Sequence, residues 1–333
     1  MPILEVKNLV TKFYTIDGVV NAVNGIDFCL EKGETLAIVG ESGSGKSVSM
    51  MSIMGLLPSP PAKVKGDFAL FSGKNGVVDL LKLSYTEISE IRGGQIGYIF
   101  QDPGTSLNPI LTVGKQISES LKRHMGLSAN DANKRTLELL AEVGIPDPEL
   151  RYKAFPFQLS GGMRQRVMIA IAVSCEPRLI IADEPTTALD VTIQAQIVNL
   201  FKNLRAKIGV TSIWITHDLG VVAGLADRVM VMYAGHIMET ALVDDLYETP
   251  KHPYTIGLLG ALPSLCKHES ERLVSIDGNP PDTMIKINHC PFVWRCKLAQ
   301  DKCWKDKPVL VEVGDGHQVA CFLVTSKGGQ QHD

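Results

Sequence analysis

Three short runs along the chain are almost wholly apolar: Thr35-Leu36-Ala37-Ile38-Val39, Leu179-Ile180-Ile181-Ala182 and Ile213-Trp214-Ile215-Thr216. Each is rich in aliphatic or β-branched residues and is followed by polar groups, which predicts buried strands. Arg228–Ala234 and His236–Ala241 predict a hairpin turning at Ala234-Gly235. Leu4–Val10 and Ile26–Leu30 predict strands of an N-terminal antiparallel layer. From Pro103 to Ser160 the pattern changes. Val113–Met125 and Asp131–Val143 place apolar residues at helical spacing with no strong strand between them, so a helical subdomain over about 103–165 is expected inside an α/β core. After about Pro250 the pattern is broken by Pro263, Pro280, Pro281, Pro291 and Pro308, and the end from Ser326 to Asp333 is expected to fray. There is no internal repeat.

Length and composition narrow this picture. A chain of 333 residues is long enough for about two domains. With 45% hydrophobic and 21% charged residues, wholesale disorder is excluded. Lys plus Arg is 33 against 36 Asp plus Glu, a net charge of −3, which carries no nucleic-acid footprint. The longest uncharged stretch, Ser47–Ala62, holds 16 residues and three prolines, short of a membrane span. Met1-Pro2-Ile3-Leu4-Glu5 lacks the cationic start of a secretory signal, so a reducing cytosol is expected. Of seven cysteines, Cys29 and Cys175 sit in apolar surroundings and are expected in the core.

Three segments carry chemistry. Gly40-Glu41-Ser42-Gly43-Ser44-Gly45-Lys46-Ser47 matches the G-x-x-x-x-G-K-[ST] phosphate loop, after a predicted strand and before a helix running toward Leu57. Its glycines let backbone N–H groups curl around a phosphate, Lys46 supplies a point charge, and the Ser47 hydroxyl suits Mg²⁺. Asp183-Glu184 ends an apolar strand; in a phosphate-loop protein the Asp holds Mg²⁺ and the following carboxylate can serve as general base. Leu159-Ser160-Gly161-Gly162-Met163-Arg164-Gln165-Arg166 opens a helix through Val173, with Ser160 as N-cap and two glycines that leave its amides uncovered.

Together these segments resemble the ATP-binding cassette family. Gly40–Ser47 is similar to its Walker A loop, Leu179–Glu184 to its Walker B strand and Leu159–Gln165 to its signature. Gln101, after Ile96-Gly97-Tyr98-Ile99-Phe100, matches the Q-loop, Ala188-Leu189-Asp190 the D-loop and His217 the switch histidine. Tyr14, 26 residues before Gly40, matches the aromatic that stacks on adenine, with Phe13 as the competitor. The resemblance covers residues 3 to 260. It implies an α/β P-loop NTPase of the cassette type, with a mixed sheet core, an antiparallel β layer, an inserted helical subdomain and a small C-terminal extension. A nucleotide-binding domain is expected over 1–255 and the extension over 256–333. The resemblance also implies ATP and Mg²⁺, the latter on Ser47, Gln101 and Asp183. Lys46, Gln101, Glu184 and His217 take the catalytic roles. Gly40, Ser42, Gly43, Ser44, Gly45 and Ser47 line the nucleotide with Tyr14. Ser160, Gly161, Gly162 and Asp190 would complete the site of a second cassette closing head to tail.

Within the family, Gln101-Asp102-Pro103, Ser106-Leu107-Asn108-Pro109 and His252-Pro253-Tyr254-Thr255 are similar to the oligopeptide and dipeptide importer branch. That implies a peripheral ATPase on the cytoplasmic face of the cell membrane. Its partners would be a paralogous cassette, two integral permease subunits and, indirectly, an extracytoplasmic binding protein. Import of nickel chelates, glutathione or another small solute is the alternative. A soluble cassette ATPase and a metal-sensing module are competing classes, the latter opposed by the complete catalytic set. The branch also carries a cysteine-bearing extension. Here Cys290, Cys296, Cys303 and Cys321 are separated by five, six and seventeen residues. This spacing lacks zinc knuckles and common ferredoxin motifs. The resemblance implies a four-iron, four-sulfur cluster; zinc and free thiols stay open, with His289 and His317 as substitute ligands.

Overall fold

The computed structural model describes residues 2–187, 189–262 and 276–324. The expectations placed on Ala188, Pro263 and 326–333 lie outside them. The chain opens with β1 (Leu4–Thr15), β2 (Gly18–Leu30), β3 (Thr35–Val39), α1 (Lys46–Ile53), β4 (Ala62–Lys65), β5 (Phe68–Gly73), β6 (Gly76–Asp79), α2 (Tyr85–Ile91) and β7 (Ile96–Ile99). Helices α3 (Pro103–Ser106), α4 (Val113–Met125), α5 (Ala129–Glu142), α6 (Pro148–Tyr152) and α7 (Gly161–Val173) follow. Then come β8 (Leu179–Asp183), α8 (Val191–Ile208), β9 (Thr211–Thr216), α9 (Leu219–Val222), β10 (Arg228–Tyr233), β11 (His236–Leu242), α10 (Val243–Glu248) and α11 (Pro253–Gly260). The last elements are α12 (Asp301–Lys305), β12 (Val311–Gly314) and β13 (His317–Val319).

These elements form two compact units. The first holds Leu70–Ile215 with Leu30–Glu34 and the residues up to Leu4. Its strands β7, β8 and β9 run parallel, with Tyr98 opposite Ile181 and Asp183 opposite Ile215. Strand β8 is buried along its whole length. Helices α4, α5 and α7 form the helical part between the strands. Thr112, Ser128 and Ser160 cap α4, α5 and α7, each accepting the N–H three residues on. Val113, Ile117 and Leu121 of α4 and Leu139 and Leu140 of α5 are buried, the stripe that their spacing predicts. α5 starts two residues before the expected Asp131 because Ser128 is its cap.

The second unit holds Glu5–Cys29, Thr35–Ala69 and the chain from Thr216 on. Here β3 pairs parallel with β10, and β10 pairs antiparallel with β11. The hairpin β12–β13 then adds to β11 through Glu239 opposite Val319. β1 pairs antiparallel with β4, Phe13 facing Ala62. The C-terminal segment joins this unit's core: Cys290, Phe292, Val293 and Cys303 pack with Val39, Val231, Tyr233 and Tyr254. Cys175 is buried as expected, but Cys29 is exposed. Along β2 the buried positions Ile26 and Leu30 fall on one parity, and Cys29 shares the outward parity of Asp27. Apolar neighbours in sequence therefore misplace it.

Candidate active site

In the second unit, β3 delivers the chain into the phosphate loop. Gly40 has φ 148, and a Cβ there would lie 2.1 Å from the Met232 carbonyl oxygen. Gly45 has φ 98, and its Cβ would lie 2.5 Å from the Ala22 oxygen. Only glycine satisfies both the torsion and the approach. Gly43 has φ 76 with open space around it. Helix α1 starts at Lys46, directly after Gly45, and so aims its N-terminal amides into the loop. Lys46 is buried; its Nζ donates to the carbonyls of Gly40 at 2.8 Å and Glu41 at 2.9 Å. The ammonium therefore bridges the mouth of the loop. Ser44 is buried, Ser47 half-buried and Ser42 exposed. This cradle of amides, one cation and a hydroxyl fits a polyphosphate with Mg²⁺. Tyr14, on β1, is 52% exposed, whereas Phe13 is half-buried, so Tyr14 is the freer ring for stacking. His217 follows β9 and is exposed.

In the first unit, β8 ends in a carboxylate pair with two environments. Asp183 is buried, and its Oδ2 accepts from the Tyr98 hydroxyl at 2.9 Å. Burial, and then the Asp183 charge, push the Tyr98 phenol up, so it stays a donor. Glu184 has φ 45, a left-handed torsion costly for a side chain with a Cβ. Its N–H donates to the Ile215 carbonyl at 2.9 Å. Its Oε2 accepts from Gln101 Nε2 at 3.0 Å and from Thr187 Oγ1 at 2.9 Å. Gln101, Asp183 and Glu184 thus come together, with Tyr98 and Thr187 added. Sequence reasoning missed both. Tyr98 is detectable only through register: it pairs with Ile181, two residues before Asp183 on the same face.

The signature residues lie in the same unit. Ser160 is exposed and caps α7, accepting from Met163 N at 3.3 Å. Gly161 faces open space, while a Cβ on Gly162 would sit 3.0 Å from Ile193. Asp190 is exposed and caps α8, accepting from Ile193 N at 3.0 Å.

The four late cysteines gather in the second unit. Cys290, Cys303 and Cys321 are buried and Cys296 is half-buried. Cys290 lies within the electrostatic reach of the other three. The main chain at Phe292, Leu298 and Leu323, two residues on in each case, favours the thiolates of Cys290, Cys296 and Cys321. Cys303 Sγ accepts from Gln300 N at 3.5 Å. Such N–H donors stabilise thiolate. Burial opposes them, pushing the Cys290 thiol up to about 12 and raising Cys296 and Cys321 as well. Ionised together, the four would need a bound cation. Among the described residues no three His, Cys, Asp or Glu side chains converge on one point for a single metal ion. His317 Nε2 lies 2.7 Å from the buried Glu239 carboxylate, and the His289 ring packs edge-on against Trp294. Neither histidine points to a ligand role here.

Comparison with known proteins agrees with this architecture. Residues 23–187 match the ABC transporter family model, and residues 238–303 match the oligopeptide/dipeptide transporter C-terminal region. The oligopeptide transport ATP-binding protein OppD of Bacillus subtilis (strain 168) is 52% identical over 97% of this chain and 89% of its own length. The dipeptide transport ATP-binding protein DppD of the same organism is 53% identical over 96% of this chain and 94% of its own. The post-hydrolysis dimer of the ATP-binding cassette MJ0796, bound to ADP and Pi, superposes with a TM-score of 0.63 at 28% identity, covering 72% of this chain and 98% of that one. The glycine-cradled loop, the paired carboxylates and the similarity along nearly the whole chain lead to one conclusion: this protein belongs to the ABC transporter family, among the ATP-binding subunits of its oligopeptide and dipeptide branch.

Proposed function

We propose that this ATPase powers uptake of dipeptides or oligopeptides, working at the cytoplasmic face of the cell membrane with two integral permease subunits, a paralogous cassette and an extracytoplasmic binding protein. Among the described residues no helix is long and apolar enough to cross a membrane; in this reading the permease subunits supply the spans. The observation that carries the catalytic part is the Gln101 Nε2 to Glu184 Oε2 bond of 3.0 Å beside buried Asp183. The peptide substrate rests on the similarity to OppD and DppD.

In this reading the loop amides of 40–47 and the Lys46 ammonium bind the phosphates, and Tyr14 stacks on adenine. Ser47, Gln101 and Asp183 serve Mg²⁺, whose charge offsets that of the phosphates when bound. Glu184 takes a proton from water as the water oxygen bonds to the γ-phosphorus and the bond to the β–γ bridging oxygen breaks. Gln101 and Thr187 hold that carboxylate in place, and His217 orients the γ-phosphate. Ser160, Gly161, Gly162 and Asp190 face the nucleotide of the partner cassette. Residues 1–255 form the nucleotide-binding domain and 256–333 the extension. Cys290, Cys296, Cys303 and Cys321 would hold a four-iron, four-sulfur cluster through their thiolates; their gathering in one unit and the Gln300 N–H donor to Cys303 Sγ support this.

The test is uptake of a labelled dipeptide by cells lacking this chain, complemented with wild type or Glu184→Gln. Restoration by the wild type alone is expected. Normal peptide uptake in the deleted cells, with nickel-chelate or glutathione uptake lost instead, would transfer the substrate to the alternative. Anaerobic purification with iron and sulfide analysis tests the cluster; one zinc, or no metal, contradicts it.

A further inference from the structure

Glu41, the second residue of the phosphate loop, is gripped by the C-terminal extension. Arg295 Nη1 donates to Glu41 Oε2 at 2.6 Å and Nη2 to Oε1 at 2.9 Å, a two-pronged pair. The Arg295 side chain is only 4% exposed. Its remaining donors are used as well. Nε donates to the Asp277 carbonyl at 3.0 Å, Nη2 to that of Ile276 at 3.2 Å, and Nη1 to the Tyr233 hydroxyl at 3.3 Å. The guanidinium also lies over the Tyr233 and Phe292 rings, at 5.7 and 6.0 Å. Glu41 is held on its main chain too: its N–H donates to the Tyr254 hydroxyl at 2.9 Å. The same residue's carbonyl accepts from Lys46 Nζ at 2.9 Å and from Ser44 N at 3.2 Å. One residue therefore joins a buried arginine of the extension to the lysine of the loop.

The chemistry makes this contact more than an anchor. Glu41 brings a carboxylate to a loop whose amides and lysine suit a polyanion. Left uncompensated, that charge would oppose the phosphates through a partly buried medium, where charges are weakly screened. Arg295 cancels it and fixes the direction in which the Glu41 carbonyl points at Lys46. A lysine could cancel the charge but could not reproduce the planar fork.

We propose that Arg295 is a positioning residue of the ATP site, contributed by the cysteine-bearing extension, which neutralises Glu41 and holds the phosphate loop in its binding shape. This rests on the reading of Gly40–Ser47 as the ATP site. Because Arg295 lies between Cys290 and Cys296, the order of the cysteine segment also sets the arginine.

The experiment is calorimetric titration of the full chain with MgATP, with steady-state turnover in the assembled transporter and thermal melts as a control on folding. Arg295→Gln is expected to weaken ATP binding about tenfold, and Arg295→Lys about threefold. KM for ATP should rise while kcat stays within about twofold. The double variant Glu41→Gln/Arg295→Gln removes both charges, so its affinity should return to within about threefold of wild type. A purely structural anchor would show no such recovery. Wild-type affinity in Arg295→Gln, or a double variant as weak as the single one, overturns the proposal. Should Arg295→Gln fail to fold, an unchanged affinity in Arg295→Lys overturns it equally. The reading of the loop is tested separately by Lys46→Ala. If the wild type does not bind ATP, both fall; if Lys46→Ala loses binding and Arg295→Gln does not, only the role of Arg295 falls.

Discussion

Gly40 and Cys290 stand in one compact unit, Val39 beside Gly40 shares a core with Cys290, and the two regions offer different groups to a ligand. Around Gly40 the inward-facing groups are main-chain amides, and side chains are removed: a Cβ at Gly40 or Gly45 would strike the backbone oxygens of Met232 or Ala22. Around Cys290 the groups on offer are side chains, four thiols drawn from a stretch of 32 residues, with Cys303 on α12 and Cys321 just after β13. The first arrangement is written into eight consecutive residues and excludes a side chain at Gly40 and Gly45. The second depends on packing by Phe292, Val293, Tyr233 and Tyr254. Backbone sites resist chemistry and fail on sterics. Side-chain sites tolerate small shape changes and fail on protonation or oxidation.

The sharpest test of that contrast lies inside the loop. Gly40→Ala is expected to cost about 3 kcal/mol or more, because both torsion and contact are wrong. Gly43→Ala, with the torsion alone unfavourable, should cost about 1–2 kcal/mol. Urea unfolding of the two variants measures this, and equal losses would break the steric account.

Acid probes the other side. His252 is buried, packs against Phe292 and accepts from Tyr254 N–H through Nδ1, and burial lowers its pKa from 6.5 to about 3. Burial, and then the Lys307 charge, lower His236 to about 4. The unfolded chain takes up these protons below pH 6.5 and the folded chain does not. The stabilisation is therefore complete above that pH and is lost as pH falls toward 4 and 3. Between pH 7 and pH 5 each histidine should cost about 2 kcal/mol of stability. His252→Gln should flatten the profile; an unchanged slope would contradict the assignment.

A smaller effect is expected at the carboxylate pair. Tyr98→Phe removes the donor that orients Asp183, and the Mg²⁺ concentration for half-maximal turnover should rise about tenfold. Cys29→Ser should change stability by less than about 0.5 kcal/mol and leave the iron content unchanged, since Cys29 faces solvent. The same change at Cys303 should lose iron.

Much of this architecture is legible in the order of the amino acids alone. β3, β8 and β9 follow from short apolar runs, and the β10–β11 hairpin from its Ala234-Gly235 turn. The loop and the Asp183-Glu184 pair are local in sequence, so their chemistry shows in the text of the chain. β1 and β2 run longer than expected because their outer halves mix charges and polar residues with apolar ones, and β4–β6 are short and interrupted by glycine and lysine. The β12–β13 hairpin hides behind prolines and gains its place only by pairing with β11. Tyr98 at Asp183 and Arg295 at Glu41 depend on register and on long-range packing, which spacing does not encode. Cys29 is misplaced when its apolar neighbours are weighed instead of strand parity.

The measurement that tests the central claim most directly is ATP binding and turnover by Glu184→Gln in the assembled transporter. If Glu184, held by Gln101 and Thr187, takes the proton from water, the variant binds ATP as the wild type does and loses about 10²–10⁴ in turnover. Turnover near the wild-type rate would contradict the claim and move the base elsewhere.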